Sequence, residues 1–236
     1  MKKWNLFALI LALNILNLQI CFSRDSEKPI DYRFKGKEFE LQSFLANNLR
    51  FPDKSIGAGN GGFSISGITI TPKGTINNIS IINSIDEYID NEVVRVLYAT
   101  RELWLECDSC NSNQTFYIQL GFNYGFRNNT DVRTDIDKNH NMFVGPVFAT
   151  TTGNGMPFTI EKLIKESTKL ISASKYFEAL PFVNELIRRN PFSKELYQIR
   201  IMINSKIFRQ DLVDEDLKKI SNFIPGVSLD DLMKNQ

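Results

Sequence analysis

One stretch, GFSISGITITPKGTINNISIIN (Gly62–Asn83), constrains the fold more than any other. β-Branched and small polar residues alternate on both sides of Thr71-Pro72-Lys73-Gly74, the period of a strand. Proline at the second turn position and glycine at the fourth suit a type I turn. Strands joined this closely must pair antiparallel, with Ile68 and Ile70 on the same face as Ile79 and Ile81. Phe63 and Ile65 fall out of phase with Ile68, so Gly67 is the expected position of a bulge.

The flanks cover this hairpin. KEFELQSFLANNL places Phe39, Leu41, Phe44, Leu45 and Leu49 at helical spacing, ended by Pro52. IDEYIDNEVVRVLYATRELW is an amphipathic helix with Ile89, Val93, Val96 and Leu97 on one face. TFYIQLGFNYG then alternates Phe116, Ile118, Leu120 and Phe122 against Tyr117, Gln119, Gly121 and Asn123, a half-buried strand. The expected fold class is α+β: a small antiparallel sheet with two helices in the order α-β-β-α-β, then an all-α tail.

Between helix and hairpin, Gly57, Gly59 and Gly62 fit the dinucleotide fingerprint G-x-G-x-x-G. That motif needs a strand before it and a helix N-terminus after it to receive phosphate. Here a helix precedes and a strand follows, so no nucleotide is expected. The net charge of +1 gives no global case for nucleic acid. One histidine, His140, leaves little acid–base or metal chemistry. Asp135, Asp137 and Asn139 alternate as in a calcium loop, but His140 replaces the turn glycine and no acid stands at the twelfth position. No cofactor, metal or catalytic residue is assigned, and the chain reads as a non-enzyme. Without G-x-S-x-G or a histidine–nucleophile pair, the best enzymatic alternative is thiol–disulfide exchange at Cys107 and Cys110.

The N-terminus carries two lysines, an apolar run and then small polar residues, ending near Cys21-Phe22-Ser23. A cleaved secretory signal over residues 1–23, a retained membrane anchor and a lipoprotein acylated at Cys21 all fit. Each places the remainder outside the cytoplasm, where Cys107 and Cys110 are expected to form a small disulfide in a turn. Residues 24–37 read as a polar lead-in and 125–155 as a polar linker. From 156 to 236 the chain is helical: Pro157, Pro191 and Pro225 are spaced by 34, the tetratricopeptide period. Thr159 and Ser193 are candidate N-caps, and Ser228 with Asp231 a capping box on a last helix. Tyr176 and Ala179 stand at Tyr-x-x-Ala spacing, and Leu163 and Leu170 fill core positions. An unrelated helical bundle is the alternative. The tail is expected to pack on the front domain or on a partner.

Residues 38–124 resemble the C-terminal domain of TonB, the coupler of inner-membrane energy to outer-membrane transporters. FLANNLRFP, with Phe51-Pro52 at the Tyr-Pro position, is similar to the family's helix and its exit. ITITPKGTINNISIINS resembles its hairpin, IDNEVVRVLYATRELW its second helix with Glu92, Arg95 and Trp104, and TFYIQLGF its closing strand. The resemblance implies a periplasmic or envelope-associated module of a Gram-negative bacterium, possessing TonB-like and tetratricopeptide-like parts. Such a module grips an extended segment of an envelope protein, such as an outer-membrane transporter, at a sheet edge by β-augmentation. Thr115–Asn123 is expected to supply that edge, with Tyr117 and Gln119 exposed and Phe51, Pro52, Thr115, Gly121 and Asn123 completing the partner-binding set. The alternative is a membrane-anchored energy transducer.

Overall fold

The computed structural model describes residues 29–125, 143–152 and 157–223. Strands β1 (Gly62–Ile70) and β2 (Ile76–Asn83) pair antiparallel, with Ile68 opposite Ile79. Their turn closes by a Gly74 N–H to Thr71 carbonyl bond of 3.0 Å, and Gly74 takes φ 74°, the left-handed residue that completes a type I turn in a hairpin. β1 does not break at Gly67. It runs in unbroken antiparallel register against β3 (Gln114–Tyr124), from Gly62 opposite Phe122 to Ile70 opposite Gln114. The irregularities lie in β2, where the pairing passes over Asn77 and Ile82.

The protein is a mixed α+β structure whose sheet has four strands in the order β2-β1-β3-β4. The fourth, β4 (Phe143–Thr151), pairs parallel with β3. The stretch expected as linker, 125–155, thus contributes a strand: polar composition around it hides the short run that ends in Val147, Phe148 and Ala149.

On one face lie helices α1 (Pro29–Arg33), α2 (Lys37–Asn48), α3 (Asp53–Ala58) and, after the hairpin, α4 (Glu87–Tyr98). Leu41 and Leu45 of α2 and Ile89, Val93, Val96 and Leu97 of α4 join Ile68, Ile70, Phe116, Ile118, Leu120 and Phe122 in the main core. Each of these large side chains contributes about 1.5–3 kcal/mol when fully buried. α4 starts where Asp86 accepts the Ile89 N–H at 2.9 Å, the usual work of an N-cap aspartate. α2 stops at Asn48, before Pro52, because Leu49 already turns extended, and Phe39 is 73% exposed, outside the apolar face. The lead-in is more than a tether. Ile30 and Phe34 are buried, and Phe34 meets Trp104 edge-on at 5.1 Å while Trp104 stacks on Phe116 at 5.4 Å.

The opposite face explains Phe63 and Ile65, which point away from the main core. Helices α5 (Ile160–Ser172), α6 (Tyr176–Arg189), α7 (Lys194–Lys206) and α8 (Gln210–Phe223) form a second layer around Ala179, Val183, Ile187, Tyr197, Ile201, Ile203 and Val213. Thr159 and Ser193 cap α5 and α7, accepting the Lys162 and Leu196 N–H groups at 3.3 Å. The layer docks on the sheet through a narrow seam. Phe192 packs with Ile65, Ile82 and Tyr117, and Arg188 Nη1 donates to the Ile85 carbonyl at 2.9 Å. Gly62 sits at φ 128° where a Cβ would lie 2.6 Å from the Arg188 carbonyl oxygen. The expected signal segment, the calcium-like run at Asp135–His140 and the Ser228 capping box lie outside the described residues. Among the described residues no helix is long and apolar enough to cross a membrane.

Candidate functional site

Two of the expected partner-binding residues share an open groove. The α2–α3 turn (Arg50, Phe51, Pro52, Asp53) and one side of α4 (Tyr88, Asn91, Glu92, Arg95) enclose about 450 Å³. Its walls are tied by one carboxylate. Glu92 accepts the Arg50 N–H at 2.7 Å and both Nε and Nη2 of Arg95 at 2.7 Å, and Arg95 Nη2 also donates to the Asn48 carbonyl at 2.6 Å. The hydrogen bonds to Glu92 raise the Arg95 pKa against a smaller opposing effect of burial. Below the turn, Phe51 packs on Phe122 and Tyr124 at 5.5 and 5.2 Å. The Tyr124 hydroxyl lies 3.1–3.2 Å from the carbonyls of Ser55, Ile56 and Asn60, any one of which can accept its proton, and burial pushes its pKa up. The two residues at the family's Tyr-Pro position therefore fasten a turn to the core and leave a half-buried rim. No serine, threonine, cysteine, lysine or histidine is among the residues that line the groove.

The expectation for β3 is overturned. Thr115–Asn123 is not an edge, because β1 pairs on one side of β3 and β4 on the other. Gln119 is fully buried instead of exposed, and neither of its amide atoms has a hydrogen-bond partner among the described residues. Gly121 is buried too, under the Phe148 ring; a Cβ there would fall 2.4 Å from that ring. Tyr117 belongs to the seam with Phe192, Thr115 shares a hydroxyl contact of 2.9 Å with Thr69, and the Asn123 Oδ1 is buried and unpartnered. The physical reason is β4. It fills the backbone hydrogen-bonding positions that would otherwise receive a partner; on the outer face its Gly145 and Phe148 lie against Gln119 and Gly121, and Phe192 packs near Tyr117.

The uncovered edge is β2. Asn77, Asn78 and Ser80 are exposed, and no described strand pairs with its outer side. The Gly67 carbonyl faces the Ser80 hydroxyl at 3.4 Å, which makes Gly67–Ser80 a hydrogen-bonded pair and turns the backbone N–H and C=O of Ile79 and Ile81 outward.

Cys107 and Cys110 are bonded in a turn, with Cα atoms 5.4 Å apart. The residue that sequence reasoning missed is Arg33 of α1, 1% exposed and directed at this turn. Its only trace in the sequence is the spacing of Ile30, Arg33 and Phe34, which shares one helical face. Among the described residues no group of three or more histidines, cysteines or carboxylates could hold a metal ion. No protein-family model, curated protein or solved structure matches the chain.

Proposed function

We propose that this protein is a TonB-like binding module that works outside the cytoplasm and receives an extended segment of an envelope partner by strand addition. The observation that carries the reading is the chemistry of β2. Natural edge strands are blunted by charges, prolines, bulges or a cover; INNISIIN has no charged residue and no proline, and its only blunting devices are the irregularities at Asn77 and Ile82. The element order α2-α3-β1-β2-α4-β3 contains the α-β-β-α-β order of the resemblance with the short helix α3 inserted, and β4 is an example within the chain of a strand joining this sheet in parallel. The receiving edge in this reading is β2, not β3. Its two irregularities leave Asn78–Ile81 as the regular segment, so the added strand is short and its affinity on the order of micromolar, as for small transient interfaces.

The test is a photo-crosslinker at Asn78 of the full chain, in cells, with the adduct mapped by mass spectrometry. An adduct to an extended segment of an envelope protein is expected. Ile79→Pro removes an outward N–H and should abolish it, while Ile79→Ala, with its similar loss of packing, should keep it. Equal crosslinking in both variants, or none in the unsubstituted protein, would refute strand addition at β2.

A further inference from the structure

The Arg33 guanidinium is buried where the hairpin turn, the Cys107–Cys110 turn and the start of β3 converge. Its Nη2 donates to the Thr71 carbonyl at 2.6 Å, Nε to the Leu105 carbonyl at 3.3 Å and Nη1 to Gln114 Oε1 at 2.5 Å. Nη1 also lies 3.6 Å from Cys110 Sγ. All these partners are neutral. Burial lowers the pKa of Arg33, yet an arginine stays charged in proteins. A positive charge without a counterion among the described residues therefore rests against one sulfur of the pair. The other sulfur, Cys107 Sγ, meets the Ser109 hydroxyl at 3.5 Å on the exposed side. Glu106 and Asp108, both exposed, flank Cys107 in the chain. The electrostatic environment is thus lopsided, favouring an anion on Cys110 and disfavouring one on Cys107.

We propose that Cys107–Cys110 is a thiol-exchanging disulfide in which Cys107 is the sulfur attacked and Cys110 the leaving sulfur, received by Arg33. The thiolate of a dithiol, small or on a partner protein, attacks Cys107 Sγ. The Cys107–Cys110 bond breaks and its electron pair passes to Cys110 Sγ, which becomes a thiolate beside the guanidinium. The second thiolate of the same dithiol attacks its own sulfur in the mixed disulfide and expels Cys107 as a thiolate, which takes a proton from water. Two electrons have then moved from the dithiol, now a disulfide, to the protein. A better-stabilised leaving thiolate departs faster. The turn survives the opening because the Cys110 N–H bonds the Cys107 carbonyl at 3.1 Å and the Cys107 N–H the Pro72 carbonyl at 2.8 Å. This activity is independent of strand addition at β2.

The experiment is acid-quenched reaction of the oxidised full chain with limiting glutathione, followed by peptide mapping. The glutathione adduct is expected on Cys107. Arg33→Gln should slow reduction about tenfold and Arg33→Lys should recover most of the rate, the scale expected for a leaving-group effect, with far-ultraviolet circular dichroism reporting the fold of each. A second measurement leaves Arg33 in place: at neutral pH, iodoacetamide should alkylate Cys110 in Cys107→Ser about tenfold faster than Cys107 in Cys110→Ser. An adduct on Cys110, equal alkylation of the two, or a disulfide that survives millimolar glutathione would overturn the proposal and leave a purely structural bridge.

Discussion

Gly121→Ala should destabilise the protein, and Phe148→Ala should reverse the sign of its effect. Gly121 lies in β3 directly opposite Phe148 of β4. A Cβ there would fall 2.4 and 2.5 Å from two Phe148 ring carbons and 3.1 Å from a Phe63 ring carbon. The first two distances are prohibitive; the third needs a shift of only a few tenths of an ångström. The Phe148 ring must therefore leave. It is 37% exposed, so swinging out forfeits part of the about 1.5–3 kcal/mol that a buried phenylalanine contributes. It also breaks the contact with Phe63, whose ring centroid is 5.8 Å away, at about 0.5–1.5 kcal/mol for an aromatic pair. The expected loss is about 2 kcal/mol, read as a lowered denaturant midpoint and as faster amide exchange from Leu120 to Tyr124. With Phe148→Ala already present the clash is gone. Alanine in a strand then costs less chain entropy than glycine, by about 0.5–1 kcal/mol, so the double variant should be as stable as Phe148→Ala or slightly more so. Additive losses would refute the reasoning, because they would mean that the glycine is needed for something other than the ring above it.

Two further outcomes test the packing of each layer. Burial is the main cause that pushes the Tyr197 pKa up to about 12, above the usual tyrosine value of about 10. The unfolded chain then loses the phenolic proton first. The associated stability is fully present below pH ~10 and is lost as pH rises to ~12, by roughly 2–3 kcal/mol. Tyr197→Phe should flatten this part of the denaturation profile, and an unchanged alkaline slope would contradict it. Asp86 serves three donors at once, accepting the Ile89 N–H and the Ser55 hydroxyl at 2.9 Å and the Asn60 amide at 2.8 Å. Asp86→Ala should therefore cost more than the about 1 kcal/mol of a simple cap, about 2–3 kcal/mol in chemical denaturation; a loss below 1 kcal/mol would show the three bonds to be dispensable.

The parts of the fold that were legible in the sequence are those whose signal is local. The Pro72–Gly74 turn, the period of Ile89–Leu97 and the caps at Thr159 and Ser193 each need only a few neighbouring residues to declare themselves. The failures share a non-local cause. Phe63 and Ile65 suggested a bulge because one buried face was assumed; Phe63 meets Phe148 of β4, and Ile65 meets Phe192, more than a hundred positions later. Gln119 read as exposed for a related reason, since a polar residue alternating with apolar ones signals water only where nothing covers that face. β4 escaped notice because its Gly145-Pro146 break and its polar surroundings outweigh the short apolar run at Val147–Ala149. Arg33 lies in a stretch that reads as a polar lead-in, and only the convergence of Thr71, Leu105, Cys110 and Gln114 marks it out. Of the expected binding residues, Phe51 and Pro52 do line a groove, whereas on β3 Gln119 and Gly121 are buried and Thr115, Tyr117 and Asn123 half-buried.

The seam at Gly62, Phe192 and Arg188 has a consequence for how the chain is made. Phe192, which packs with Ile65, Ile82 and Tyr117, emerges late, so the hairpin and β3 can assemble while this part of their sheet is still bare. Until Arg188 and Phe192 arrive, that side offers β-branched and aromatic surface beside an uncharged edge, the combination that favours sticking to other chains. A fragment ended near residue 156 would hold that state permanently. The boundary between the sheet and its helices is thus a boundary in the sequence and not one in folding: the front part needs the tail as a lid on its second face, and shortened versions of this protein should aggregate before they report on binding.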